Sequence, residues 1–234
     1  MNTLNNQPPT GKQPYQSDRN WATQYPGQVF YHGPTDRKAI ALTFDDVPDA
    51  LFAPVLLDVL AQYNVKATFF CLGTCIRKNP DMVYRMFKDG HILANHTYNH
   101  PDLTTLSPEQ IRTEVQSTQA EIQMITGLKT ALFRPPYGFI DEKVIQVVIA
   151  LGYKIIMWNV DSLDWMGLTG PQIAARVVSA TTPGSIILMH NACEGTVQAG
   201  TGTVQSLPYI IEILRSQGYQ FETIPDLLNI PGYQ

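Results

Sequence analysis

The chain has 234 residues, of which 44% are hydrophobic and 15% are charged, and its formal net charge is −4. Binding to nucleic-acid phosphates needs grouped lysines and arginines, and the sequence has no such cluster, so its composition gives no support to nucleic-acid binding. No apolar stretch reaches the ~18 residues that a membrane span requires.

The N-terminal part is predicted to be a tail or a wrapping segment, residues 1–36. Residues 1–28 are polar and rich in Asn, Gln and Pro, and they have neither the basic start nor the apolar core of a signal peptide. We therefore expect either an intracellular protein or a leader that this sequence does not include. Residues 29–31 (Val-Phe-Tyr) are predicted to add a short edge strand.

Residues 37–234 are predicted to form one domain in which strands and helices alternate. The apolar patterns predict strands near 39–44, 67–71, 91–95, 131–134, 153–159, 185–189 and 219–223. The helices are predicted near 52–63, 80–89, 107–126, 141–151, 170–180 and 203–217. Such alternation is typical of an α/β fold with a parallel sheet, either open or closed into a barrel.

The run Ala39–Val47 ends in two adjacent acids, Asp45 and Asp46, and Pro48 follows. Side chains alternate in direction along a strand, so neighbouring acids at its end point differently and can take different roles. One could bind a metal and the other could move a proton. The alternative is that both are turn-forming or helix-capping acids.

Further reactive residues also follow predicted strands, and the carboxyl ends of parallel strands share one face, where sites form. His96 and His100 are four residues apart and have the side chains that zinc-like ions prefer. Together with a carboxylate they make the two-His-one-carboxylate set of an open metal site.

The segment Arg134-Pro135-Pro136-Tyr137-Gly138 is a stiff loop, because its two prolines restrict the backbone and lack N–H groups. The first free backbone donor after the prolines belongs to Tyr137, which suits an oxyanion site. A plain proline-rich turn is the alternative.

Two later segments place acids, an aromatic ring and a histidine after strands. They are Asp161-Ser162-Leu163-Asp164-Trp165 and the apolar strand that ends in His190. Taken alone, His190 is more typical of a hydrogen-bonded structural histidine, and Asp161 is interpreted as a turn or capping residue.

These five segments, in this order, resemble the polysaccharide deacetylases of carbohydrate esterase family 4, the NodB homology domain. The family motifs correspond to Thr43-Phe44-Asp45-Asp46-Val47-Pro48, His96 to Pro101, Arg134 to Gly138, Asp164-Trp165 and Leu188-Met189-His190. The resemblance covers roughly residues 37 to 228, and five short motifs in register are a specific signal.

The resemblance implies a distorted (β/α) barrel of about seven parallel strands and metal-dependent removal of acetyl groups from N-acetylated glycans. It implies that Asp46, His96 and His100 bind Zn²⁺ or another divalent metal such as Co²⁺. Asp45 would be the general base, positioned by Arg134, and Tyr137 would help to hold the oxyanion. His190 would protonate the leaving amine and Asp164 would raise its pKa, while Trp165, Leu188 and Pro136 would line the pocket.

Val47 stands where the family usually has Gly, and we expect it to add bulk beside the metal and to alter the fit of the sugar. The odd number of cysteines, Cys71, Cys75 and Cys193, argues against a disulfide framework, and Cys71 is predicted to be a core residue. Cys193 and Glu194 are interpreted as ordinary residues of a loop over 191–202.

Two other functions remain open, namely a catalytically weak glycan-binding protein and a C–N hydrolase for a small amide. Among glycans, chitin fragments, peptidoglycan and acetylated xylan remain open too. We expect the protein to act as a monomer. Glycan substrates imply the cell envelope or the outside of the cell, whereas the missing leader and the odd cysteine count point the other way.

Overall fold

The computed structural model describes residues 21–191 and 197–234. Its strands are β1 (Val29–Phe30), β2 (Ala39–Val47), β3 (Thr68–Cys71), β4 (Ile92–Asn95), β5 (Leu132–Phe133), β6 (Lys154–Ile156), β7 (Val160–Asp161), β8 (Ile186–His190) and β9 (Gln220–Phe221). All predicted strands are present, including the short edge strand β1. Strand β7 was not predicted. The apolar run over 153–159 predicts one long strand, whereas the chain forms the short strand β6 and then β7 directly after the run.

The strands form one curved sheet in the order β1-β6-β5-β4-β3-β2-β8-β7, and β9 pairs with β2. Every strand pair recorded for the described residues is parallel. Strands β1 and β7 are the first and last in this order. Within the described residues they do not pair with each other, so the barrel is open between them. The predicted distorted parallel barrel is confirmed.

The helices are α1 (Trp21–Gln24), α2 (Ala53–Gln62), α3 (Gly73–Lys78), α4 (Pro80–Lys88), α5 (Pro108–Thr126), α6 (Glu142–Ala150), α7 (Gly170–Ala180), α8 (Val197–Ser216) and α9 (Ile224–Leu228). The predicted loop over 191–202 is wrong in its second part, because α8 begins at Val197. Helices α1, α3 and α9 were not predicted, since each is shorter than two turns and carries little periodic signal.

Helix α5 begins and ends as the sequence indicates. The Ser107 side chain accepts a hydrogen bond from the Gln110 backbone, and the Gln110 side chain accepts one from the Ser107 backbone. This reciprocal pair satisfies two of the N–H groups that a helix start leaves unpaired. Gly127 ends the helix with a φ of 75°, a conformation that glycine adopts without steric cost.

The sheet is buried on both faces, which explains why strand β2 is apolar from Ala39 to Phe44 except at Thr43. In β2, Ile40, Leu42 and Phe44 pack into one core cluster, whereas Ala39 and Ala41 pack into a second. Side chains that alternate between the faces of a sheet produce this division. The strand thus holds its end rigidly, and that end carries the two acids.

The N-terminal segment packs against the edge of the sheet where the structure describes it. Trp21 and Val29 are buried, and β1 pairs with β6. The division at residues 36 and 37 stays a prediction.

The cysteines differ from the sequence-based expectation in one respect. Cys71 is a free, fully buried thiol in β3, as predicted for a core residue. Cys75 in α3 is disulfide-bonded, so the expectation of no disulfide is wrong. Cys193 and Glu194 lie outside the described residues.

No helix in the described part of the chain combines the length and the apolar character that crossing a bilayer demands.

Replacing Phe69 by Ala should strongly destabilise the fold. The Phe69 ring is fully buried, stacks on Phe44 at 5.3 Å between centroids and meets His91 edge-on at 5.1 Å. We expect the free energy of unfolding, measured by urea denaturation, to fall by about 3–5 kcal/mol. The control is Met124→Ala at a side chain that is 79% exposed, for which we expect a change within about 0.5 kcal/mol. Equal effects of the two changes would contradict this description of the core.

Candidate active site

One cavity lies at the carboxyl ends of the central strands, where the sequence predicts a site. It is lined by Asp45, Asp46, His96, His100, Tyr137, Trp158, Asp161, Trp165, Leu188 and His190. Each of the five motif segments contributes at least one lining residue. The Arg134 and Asp164 side chains are fully buried behind it and contact cavity residues.

The backbone separates the two adjacent acids. Asp45 still lies in register, opposite Phe70 on β3 and His190 on β8. The β2–β3 register shifts between Asp45 and Val47, and Asp46 has a φ of 60°. A bulge of this kind redirects a side chain, so Asp46 departs from the alternation that Asp45 still follows.

Arg134 binds Asp45 in the interior. Its Nη1 donates to Asp45 Oδ1 at 2.7 Å and to Thr43 Oγ1 at 2.8 Å. The Nε and Nη2 atoms of the same guanidinium donate to the backbone carbonyls of Ile156 and Met157, at 2.9 and 3.1 Å. Burial raises the pKa of Asp45, and the charge and hydrogen bond of Arg134 oppose that rise without cancelling it.

Asp46, His96 and His100 have the geometry of a metal-ligand set. Their candidate ligand atoms all lie within 4.8 Å of one another. Asp46 Oδ1 is 3.6 Å from His96 Nε2 and 3.5 Å from His100 Nε2. This carboxylate oxygen is buried, and it has no hydrogen-bond partner among the described residues. A buried oxygen without a donor is costly, and a cation there would remove the cost.

Both histidines are in the state that a metal ligand requires. Burial, together with the neighbouring His100, lowers the pKa of His96 to about 3, and burial also lowers the pKa of His100. The rings are therefore neutral near pH 7. His96 Nδ1 lies 2.7 Å from the Arg134 carbonyl, so Nδ1 carries the proton and the Nε2 lone pair is free to bind a cation.

His190 and Asp164 form a second buried ion pair. His190 Nδ1 is 2.8 Å from Asp164 Oδ1, while Asp164 Oδ2 accepts from the His190 backbone and from Thr203 Oγ1. Burial would lower the pKa of His190, but Asp164, with smaller contributions from Asp46 and Asp45, raises it to about 10. Burial in turn would raise the pKa of Asp164, and His190 more than offsets this effect. His190 is therefore protonated at neutral pH.

Aromatic and apolar side chains form the rest of the cavity wall. Tyr137 has a φ of 59°, and its ring meets His100 at 4.4 Å between centroids. Trp165 and Leu188 line the cavity as predicted, whereas Pro136 is buried in the turn that carries Tyr137 and is not one of the lining residues.

Two lining residues, Trp158 and Asp161, were not predicted to line the cavity. Trp158 was assigned to the interior of a strand, yet β6 ends at Ile156 and the Trp158 ring reaches both the cavity and the Arg134 guanidinium, 5.5 Å from the ring centroid. Asp161 accepts the turn hydrogen bond from the Leu163 backbone, as expected, but it also faces the cavity. Its position beside the Asp164-Trp165 motif was the feature of the sequence that could have indicated a place in the cavity.

The expectation for Val47 is wrong. Its side chain is fully buried in the core cluster that contains Phe44 and Ile76, and it is absent from the residues that line the cavity. Its φ is not among the positive values recorded for the described residues, so glycine is not needed at this position. Val47 therefore adds bulk to the core and not to the cavity.

Comparisons with known proteins agree with the motifs. The family model described as "Polysaccharide deacetylase" matches residues 32–156. A peptidoglycan-N-acetylglucosamine deacetylase of Bacillus cereus is 37% identical over 207 residues, which are 88% of this chain and 74% of that protein. The peptidoglycan-N-acetylmuramic acid deacetylase PdaA of Bacillus subtilis is 36% identical over 204 residues, covering 86% of this chain and 75% of the relative.

A solved structure shares the whole fold. It is a peptidoglycan N-acetylglucosamine deacetylase in complex with 4-naphthalen-1-yl-N-oxidanyl-benzamide. The TM-score is 0.88 at 34% identity, over 92% of this chain and 99% of the other.

Replacing Asp164 by Asn should lower the pKa of His190, because it removes the carboxylate that raises this pKa to about 10. NMR titration of the His190 ring measures the change. Asp161→Asn is the control, since Asp161 lies near His190 without a hydrogen bond to its ring, and we expect a much smaller decrease. An unchanged His190 pKa in Asp164→Asn would show that Asp164 does not set the protonation of His190.

Proposed function

This chain belongs to the polysaccharide deacetylase family of enzymes, and from that premise we propose that it is a metal-dependent hydrolase. It removes N-acetyl groups from a polysaccharide that contains N-acetylglucosamine, such as peptidoglycan or chitin fragments. The single observation that carries the proposal is the meeting of Asp45, the Asp46-His96-His100 set and protonated His190 in one cavity.

Asp46, His96 and His100 hold the metal in this proposal. A bound Zn²⁺, or another divalent ion such as Co²⁺, would polarise the acetyl carbonyl and lower the pKa of the attacking water toward ~7. The donor set fits this ion, because neutral imidazole nitrogens and a carboxylate are zinc ligands and three protein ligands leave room for water and substrate.

Asp45 is the general base that takes a proton from the attacking water. Its pKa is raised by burial, which makes its carboxylate a stronger base than an exposed one. Arg134 positions the carboxylate through Asp45 Oδ1. The second oxygen, Oδ2, is 3.6 Å from His96 Nε2 and so lies beside the metal ligands, where the water must be.

His190 is the general acid, and Tyr137 supports the oxyanion. The ring nitrogen of His190 that does not bind Asp164 can donate its proton to the departing amine. Because part of the rise in its pKa comes from Asp46 and Asp45, His190 becomes more acidic when those charges are neutralised. The backbone N–H of Tyr137 donates to the oxyanion, on a turn that the two preceding prolines stiffen.

The lining of the cavity combines acids, a cationic histidine and apolar side chains. Among the described lining residues the acids are Asp45, Asp46 and Asp161, and protonated His190 is the cation. Trp165 and Leu188 offer an apolar wall for the acetyl methyl group.

Acetate release from a panel of substrates tests the proposal. The panel contains N-acetylglucosamine-rich peptidoglycan fragments, chitooligosaccharides and acetylated xylan, each assayed before and after chelation and after adding Zn²⁺ or Co²⁺. We expect acetate from the N-acetylated glycans, its loss on chelation and its return with the metal. Thermal melting of the chelated protein controls for unfolding. Full activity in the metal-free protein would contradict the metal assignment, and no acetate from any N-acetylated glycan would contradict the reaction.

A further inference from the structure

The loop that carries both histidine ligands has a conformation that must be held in place. This His loop, residues 96–100, contains Thr97 with a φ of 73° and His100 with a φ of 59°. Such angles are strained for residues with side chains, and they persist only where the surroundings fix them. The loop therefore depends on contacts outside itself.

Every backbone N–H of the His loop has an acceptor. His96 donates to the Cys71 carbonyl at 3.0 Å, Thr97 to the Asn95 side chain at 2.9 Å, and His100 to Thr97 Oγ1 at 3.1 Å. The remaining two N–H groups lie between the metal ligands. Both of these donate to one carboxylate oxygen on another element.

That oxygen is Glu114 Oε2 on α5. It accepts from the Tyr98 N–H at 2.9 Å and from the Asn99 N–H at 2.8 Å. The other oxygen, Oε1, accepts from Asn99 Nδ2 at 2.8 Å. The Glu114 carboxylate thus accepts three hydrogen bonds from Tyr98 and Asn99, which lie between the two histidine ligands.

Helix α5 is a rigid support for this carboxylate. It has 19 residues and the capping pair at Ser107, and it buries Ile111 and Val115 on either side of Glu114. The opposite side of the loop is held by α3, where Gly73 and Thr74 donate to the Thr97 and Tyr98 carbonyls at 3.1 Å. Glu114 is the only acidic side chain that the recorded hydrogen bonds of the described residues connect to the loop backbone.

We propose that Glu114 is a positioning residue for the metal site, which it serves by fixing the backbone between His96 and His100. It does not touch the metal or the substrate. The inference rests on the proposed function, because it takes the two histidines as ligands. Loss of a side chain that orients metal ligands typically weakens metal affinity about 10- to 100-fold.

Zinc affinity of the full chain tests the inference, measured by competition with a chromophoric chelator. We expect Glu114→Ala to bind zinc about 10- to 100-fold more weakly than the unchanged chain. We expect the melting temperature of the metal-free protein to change little, because the Asn99 side chain is exposed and Tyr98 is half-buried, so water can reach the released donors. Affinity within about twofold of the unchanged chain would overturn the proposal.

Two further variants separate position from charge. Glu114→Gln keeps an oxygen that can accept both N–H groups, so we expect it to recover most of the affinity. Glu109→Ala removes the same charge five residues earlier in α5, from an exposed side chain whose ion-pair partner is Arg112 at 4.0 Å. We expect near-normal zinc binding in that control. Losses as large in Glu114→Gln or Glu109→Ala as in Glu114→Ala would assign the effect to charge and overturn the positioning role.

The possible outcomes test this inference separately from the proposed function. An unchanged chain that binds no zinc overturns both, whereas normal zinc binding in Glu114→Ala overturns only the role of Glu114. If Glu114→Ala does not fold, Glu114→Asp takes its place, since it keeps the charge and draws the carboxylate back from the loop. The same weakening of zinc binding is then expected, and its absence contradicts the proposal.

Discussion

The buried pair of Arg134 and Asp45 is the interaction on which the site depends. The Arg134 side chain is fully buried and stacks over Phe70 at 4.0 Å from the ring centroid. Its donors reach Asp45, Thr43 and two backbone carbonyls, so the charge has a full set of partners. Removing one partner of a buried pair leaves an uncompensated charge, at a cost of about 3–5 kcal/mol.

This pair explains how neighbouring acids acquire different roles. Thr43 and Asp45 follow the alternation of β2 and both meet the guanidinium on the inner side of the sheet. Asp46 leaves that alternation, with a φ of 60°, and its Oδ1 lies beside His96 and His100. One acid is thereby bound to an arginine, and the other keeps an oxygen for a cation. Strand β8 completes the arrangement, because His190 lies in register with Asp45.

The sequence predicted the fold and the face of the sheet where the reactive residues meet because both follow from regular patterns, whereas the roles expected for those residues came from the resemblance to a family. Alternating apolar runs indicate a parallel sheet, and the reactive residues follow those runs. Where the strands end irregularly, the pattern carries less information. Trp158 and Asp161 line the cavity because β6 stops at Ile156 and the short β7 follows, which the apolar run from 153 to 159 conceals.

Val47 was misplaced for a similar reason, since the bulge after Asp45 decides which face of the sheet the Val47 side chain occupies. Glu114 was missed because its hydrogen bonds join a helix to the loop residues Tyr98 and Asn99, which lie 16 and 15 positions earlier in the chain.

The most direct test of this account compares Asp45→Asn with Asp46→Asn for zinc content and for acetate release from a chitooligosaccharide. The account predicts that Asp45→Asn still binds zinc and loses about 10²- to 10⁴-fold in turnover, the usual contribution of a general base. It predicts that Asp46→Asn loses zinc as well as turnover. Near-normal turnover in Asp45→Asn, or loss of zinc from both variants alike, would contradict the division of roles between the two acids.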